Sequence, residues 1–127
     1  MIVADTSVWV AATRAPESDD ARMLGKLIDA DELALPLPVR LELAAGISPR
    51  DRKRFARALS ALPVIHPTEE TWTRLEGWIA PAADAGHRFG MTDLLIASLA
   101  ADVDALVWSL DADFQRLAEL RFVRLYR

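Results

Sequence analysis

The feature that most constrains this chain is a pair of short, unbroken apolar runs, each closed by an aspartate. Asp5 follows Met1-Ile-Val-Ala, and Asp111 follows Ala105-Leu-Val-Trp-Ser-Leu. Runs of this length without polar alternation suit strands covered on both faces, as in parallel sheets. Helical patterns lie between such runs. The chain is therefore expected to fold as one α/β domain over residues 1–127, with a short central parallel sheet covered by helices on both faces and right-handed crossovers. Ligands in open parallel sheets collect past the carboxyl ends of strands, where Asp5 and Asp111 fall.

The pattern predicts strands over Ile2 to Ala4, Leu33 to Leu35 (closed by Pro36), Val64 to His66, Leu106 to Ser109 and Phe122 to Leu125. Helices are expected from Ser7 to Thr13 behind a Thr-Ser cap, from Asp19 to about Ala30, and from Pro38 to Ala44 with Gly46 as the stop. Pro49 opens a helix carrying Phe55, Leu59 and Leu62, and Thr68 opens a long one with a kink at Pro81. Thr92 is expected to cap an apolar helix over Asp93-Leu-Leu-Ile-Ala-Ser-Leu-Ala-Ala, whose near-total lack of charge implies burial on several sides. The last helix is expected over Asp113 to Leu120.

With 127 residues, 52% hydrophobic and 27% charged, the chain suits one soluble globular domain. No apolar run approaches the roughly 18 residues of a bilayer span, and the first ten residues have no basic cluster. Neither a span nor a signal peptide is expected, and the location is expected to be cytoplasmic. The absence of cysteine rules out disulfides and thiolate ligands, and His66 and His87 alone would supply zinc poorly. A metal here would be hard and oxygen-bound. The formal charge of −4 does not exclude nucleic acid, because setting five acids aside at one metal centre leaves the remainder at +1. Arginine greatly outnumbers lysine, which suits phosphate contacts but is explained as well by genome composition.

Four acids, Asp5, Glu42, Asp93 and Asp111, lie where such a fold could gather them with no basic neighbours to neutralise them, and Asp113 lies beside the last. Glu42 has Pro38, Val39, Ala45 and Gly46 as helical neighbours, a face on which an unpaired carboxylate is costly to bury; exposure at the helix rim is its ordinary explanation. Asp93 shares its face with Ile96, Ala97 and Ala100, although an aspartate in a first helical turn also offsets the macrodipole. Asp5 could be a simple turn residue, and Asp111 or Asp113 a helix cap. Together they carry more weight. Clustered carboxylates raise one another's pKa unless cations compensate them, and Mg²⁺, or Mn²⁺ as a substitute, takes a few carboxylate oxygens plus water.

Four strings carry a family resemblance: Ile2-Val-Ala-Asp5-Thr-Ser-Val-Trp, Arg40-Leu-Glu42-Leu-Ala-Ala-Gly46, Thr92-Asp93-Leu-Leu-Ile-Ala and Trp108-Ser-Leu-Asp111-Ala-Asp113-Phe114. In this order, they resemble the PIN-domain ribonucleases, and among them the VapC-type toxins of toxin–antitoxin pairs. The resemblance implies that Asp5, Glu42, Asp93 and Asp111 hold the metal or its waters and that Asp113 completes a catalytic pocket of five acids. Thr6 and Ser109 match the family's small hydroxyl residues beside the first and fourth acids, where they orient a carboxylate or a water; a helix cap and a strand end are their ordinary roles. Also implied are Mg²⁺-dependent endoribonuclease activity on tRNA or other structured RNA, a homodimer, and a small VapB-like antitoxin covering the active site.

RNA must be held by groups other than the acids. Arg50, Lys53, Arg54 and Arg57 recur at helical spacing opposite Phe55, Leu59 and Leu62, forming either a phosphate ridge or a solvated face. Arg88, in a Gly-flanked loop, is a second candidate. The two histidines suit structural roles, and Trp9, Trp72, Trp78 and Trp108 suit the core better than base stacking. A phosphoacceptor receiver is disfavoured because Thr6 stands where an acidic pair is needed and no lysine follows a late strand. Ser7 removes the Asp-x-Asp phosphatase pattern. The remaining alternative is an inactive PIN-like module acting through protein or RNA contacts.

Overall fold

Strand β1 (Ile2–Ala4) is buried at every position. Successive strand side chains point to opposite faces, so both faces of the sheet are covered. The computed structural model describes residues 1–127. It contains four further strands, β2 (Leu33–Pro36), β3 (Val64–Ile65), β4 (Leu106–Trp108) and β5 (Arg124–Leu125), in the order β3-β2-β1-β4-β5. All neighbours pair in parallel, with Val3 opposite Ala34 on one side and Val107 on the other. The chain builds outward from β1 through β2 to β3, then returns to place β4 on the other flank. That reversal puts the crevice of a doubly wound sheet between the ends of β1 and β4.

Seven helices make the crossovers: α1 (Thr6–Arg14), α2 (Asp19–Asp29), α3 (Leu37–Gly46), α4 (Arg52–Ser60), α5 (Glu69–Asp84), α6 (Met91–Asp102) and α7 (Ala112–Glu119). The core holds Trp108, Phe114, Leu33, Leu35, Leu99 and Leu117 among its fully buried side chains. Helix α6 buries Leu94 and every residue from Ile96 to Ala100, as its uncharged run between Asp93 and Asp102 requires. Its one buried hydroxyl, Ser98, donates to the Thr71 carbonyl at 2.8 Å. Arg74 donates to the Ser98 carbonyl at 2.9 Å and pairs with Asp102, which also accepts from Thr71. This polar strap ties α5 to the helix that carries Asp93.

Element starts depart from the sequence expectation where caps are concerned. Asp5, not the Thr-Ser pair, caps α1, and Gly90, not Thr92, precedes α6, leaving Thr92 and Asp93 inside its first turn. Pro49 opens a separate 3-10 turn, Pro49–Asp51, and Leu62 lies beyond α4. Helix α5 continues through Pro81 to Asp84. Strand β4 ends before Ser109, and β5 begins at Arg124 rather than Phe122. Asp31, Asp104 and Arg121 have φ of 55°, 52° and 64°, each just after the last turn of α2, α6 and α7. Left-handed residues there turn the chain from helix towards strand. No helix is long and apolar enough to cross a membrane.

Candidate metal centre

Asp5 leaves the end of β1 and turns into α1, and the residue is 4% exposed. One oxygen accepts from the Ser7 amide at 3.1 Å and from the Ser7 hydroxyl. The other accepts from Ser109 Oγ at 2.8 Å, beyond the end of β4. Both serines also accept from the β4–α7 turn: Ser7 Oγ from the Leu110 amide at 3.0 Å, and Ser109 Oγ from the Asp111 amide at 2.9 Å. The first acid is thereby fixed to the segment bearing the last two. Burial pushes the Asp5 carboxyl above its usual value, and the hydrogen bonds from Ser7 and Ser109 oppose this.

Asp93 stands in the first turn of α6, Asp111 caps α7 by accepting from the Asp113 amide at 2.9 Å, and Asp113 follows in the first turn. Carboxylate oxygens of these three lie within 4.8 Å of one another. Burial first, then the charges of Asp111, Asp113, Asp5 and Glu42, push Asp93 up to about 6. All five predicted acids thus act on one point. Helix N-termini offset part of the repulsion and explain each aspartate singly. They do not explain the convergence. Hard oxygen donors at this spacing, without histidine or thiolate, fit Mg²⁺ or Mn²⁺.

One expectation about the acids needs correction. Glu42 is exposed, because α3 packs through Val39 and Leu43 and turns Glu42 away from that face. It still joins the group: Thr6 Oγ1 donates to its Oε1 at 2.8 Å, and its charge is felt at Asp93. Asp5, Glu42, Asp93 and Asp111 form no ion pair, as expected, and Asp113 alone of the five has a basic partner. Arg116, one helical turn on, pairs with Asp113 at 2.9 Å with both side chains partly exposed.

Arg50, Lys53, Arg57 and Arg88 are exposed, and Arg54 reaches Asp51 at 3.5 Å, while Phe55 and Leu59 turn inward. His66 and His87 lie outside the acid cluster, and His87 packs near Phe89. Trp9 and Trp108 are core residues, and Trp78 stacks on Phe122 at 4.5 Å. Trp72 is a correction: it is 47% exposed. Sequence reasoning missed Ser7, whose only advance signal was a hydroxyl two residues after a strand-ending aspartate. It also missed Arg14, in the last turn of α1, which lines a cavity with Glu42.

The PIN domain family model matches residues 2–120. Ribonuclease VapC18 of Mycobacterium tuberculosis is 34% identical over 91% of this chain and 86% of its own length. Ribonuclease VapC11 of the same species is 30% identical over 94% of this chain and 93% of its own. Among solved structures, VapBC2 from Rickettsia felis, bound to a DNA fragment from its promoter, superposes with a TM-score of 0.82 at 23% identity, covering 98% of this chain and 97% of that one. The chain belongs to the PIN-domain family and, within it, to the VapC group.

Proposed function

We propose that this protein is a Mg²⁺-dependent endoribonuclease toxin, acting in the cytoplasm, that hydrolyses phosphodiester bonds in tRNA or another structured RNA. The convergence of Asp93, Asp111 and Asp113 carries the reading, with Asp5 and Glu42 alongside. Asp5, Glu42, Asp93 and Asp111 would hold the cation or its waters, and Asp113 would complete the acidic pocket. A divalent ion so held supplies an activated water and compensates charge on the phosphoryl and leaving oxygens.

The chain's own residues do the positioning. Ser7 and Ser109 fix both oxygens of Asp5, so this carboxylate cannot rotate away from the centre. Thr6 holds Glu42 on the open side, where it can orient a water in line with the phosphorus. Clustered carboxylates of which only Asp113 has a basic partner favour cation uptake, since binding relieves their repulsion. Arg50, Lys53, Arg54, Arg57 and Arg88 are the candidate phosphate contacts, and their exposure leaves them free to follow a strand of RNA.

The partners proposed are a second copy, forming a homodimer, and a small VapB-like antitoxin. An apolar groove of about 570 Å³ between α3 and α4 includes the exposed Leu41. Ile47 and Phe55 form walls of both this groove and the cavity beside Glu42. An amphipathic antitoxin segment seated there would run on to the acids and cover them.

The test is cleavage of a mixed tRNA and structured RNA pool with Mg²⁺, Mn²⁺ or EDTA, comparing wild type with Asp5→Asn and Asp93→Asn. Metal-dependent cuts lost in both variants are expected. Full metal-dependent activity in Asp93→Asn would refute the assignment of roles. Neither cutting nor metal binding would establish the inactive binding module.

A further inference from the structure

Beside the acids, α1, α3 and α4 enclose a cavity of about 440 Å³, within the roughly 300 to 1,000 Å³ typical of small-ligand pockets. Glu42 belongs to both the acid group and this cavity, which makes the two spaces neighbours. Two guanidinium side chains, Arg14 and Arg54, also line it. Arg14 makes no ion pair. Arg54 has only its 3.5 Å contact to Asp51, with an 84% exposed side chain, and such surface pairs contribute little. Asp51 lines the cavity too, its Oδ2 accepting from Ser48 Oγ at 3.0 Å. Val10, Ile47 and Phe55 form an apolar wall facing the same space.

Two phosphate-binding forks and a ring-bearing apolar wall are what one unstacked nucleotide requires. Guanidinium groups match phosphate oxygens in bidentate geometry, and single-stranded RNA is held by phosphate contacts combined with stacking of bases on aromatic rings. We infer that this cavity holds the nucleotide flanking the scissile phosphodiester, with Arg14 and Arg54 on its phosphate and its base against Phe55. The inference rests on the nuclease reading and deepens it, assigning Arg14 a role and separating Arg54 from the other basic residues of its helix. It also implies an unpaired substrate at the cut site, since a base within a duplex cannot enter the cavity. RNA is favoured over an acidic peptide because the cavity adjoins a cluster suited to a cation that binds phosphate.

The experiment measures binding of a fluorescent random oligoribonucleotide, about eight residues long, to the full chain carrying Asp93→Asn, over a salt series with Mg²⁺ present. Arg14→Gln and Arg54→Gln should each weaken binding about tenfold. The double variant should lower the slope of log affinity against log salt by about 1.4, or about 0.7 for each lost contact. Phe55→Leu, with its fold checked by thermal melting, should weaken binding without changing the slope. In an otherwise wild-type background, the arginine variants should raise KM and keep kcat. Unchanged affinity and slope in the double variant, or no RNA binding at all, overturns the inference. So does arginine-dependent binding of a polyglutamate peptide without RNA binding. Arginine-dependent RNA binding without cleavage in any metal would retain the subsite and remove the nuclease reading.

Discussion

Ser109 Oγ donates to Asp5 Oδ2 at 2.8 Å, joining residues 104 positions apart across the ends of β1 and β4. The bond matches the strand order, because only the neighbouring placement of these two strands brings the first acid to the last pair. Asp5 is also held by Ser7. Groups that orient a metal-bound carboxylate typically affect metal affinity or activity 10- to 100-fold, roughly. Ser109→Ala should therefore lower Mg²⁺-dependent cleavage about tenfold while leaving the melting temperature within a few degrees. Ser7→Ala should have a comparable effect, since each serine holds one Asp5 oxygen and one backbone amide of the β4–α7 turn. A Mg²⁺ titration of cleavage rate checks both.

Stability of the metal-free protein should fall as pH rises from about 4 to about 6. Asp93 is pushed up to about 6 from its ordinary 3.8, so the folded chain binds this proton more tightly than the unfolded chain. The stabilising contribution is fully present below about pH 4 and lost as pH passes through about 6. A shift of two units corresponds to ~3 kcal/mol at most, and partial solvation of the site lowers this to ~1–2. Asp93→Asn should flatten the fall, and Mg²⁺ should reverse it by binding the ionised site. Thermal melts in EDTA and in Mg²⁺ across this range provide the measurement.

Arg74→Leu should destabilise the fold by about 2 kcal/mol. It strips the half-buried Asp102 of its ion-pair partner and the Ser98 carbonyl of a donor. Because the strap holds α6, metal affinity at Asp93 should fall as well. Urea unfolding with and without Mg²⁺ separates the two effects.

Arg121→Gly should stabilise the protein by about 0.5–1 kcal/mol. Arg121 sits at φ 64°, a region glycine enters without the Cβ clash, and its side chain makes no ion pair. Chemical denaturation should show a raised midpoint with an unchanged slope.

The strands and the convergence of acids were legible in the sequence, because unbroken apolar runs followed by aspartate reflect burial and the edge of burial at once. Helix starts were less so. Asp5 and Asp111 each cap a helix while standing in the acid cluster, and Gly90 precedes α6 with no side chain to announce it. Glu42 looked buried because its helical neighbours are small and apolar, yet which face of α3 turns inward is fixed by Val39 and Leu43 against the rest of the core. The Asp113–Arg116 pair was legible at its spacing of three and was passed over. Ser7 could not be found from local pattern alone, since its partner amide at Leu110 arrives from the far end of the chain.

The strand order also has a consequence for synthesis. The acids come from residues 5, 42, 93, 111 and 113, and the flanking β5 pairs with β4 only when the last few residues are in place. A fragment released before α6 would carry the first two acids without the three that cluster, so the centre forms only once both α6 and α7 have joined the sheet.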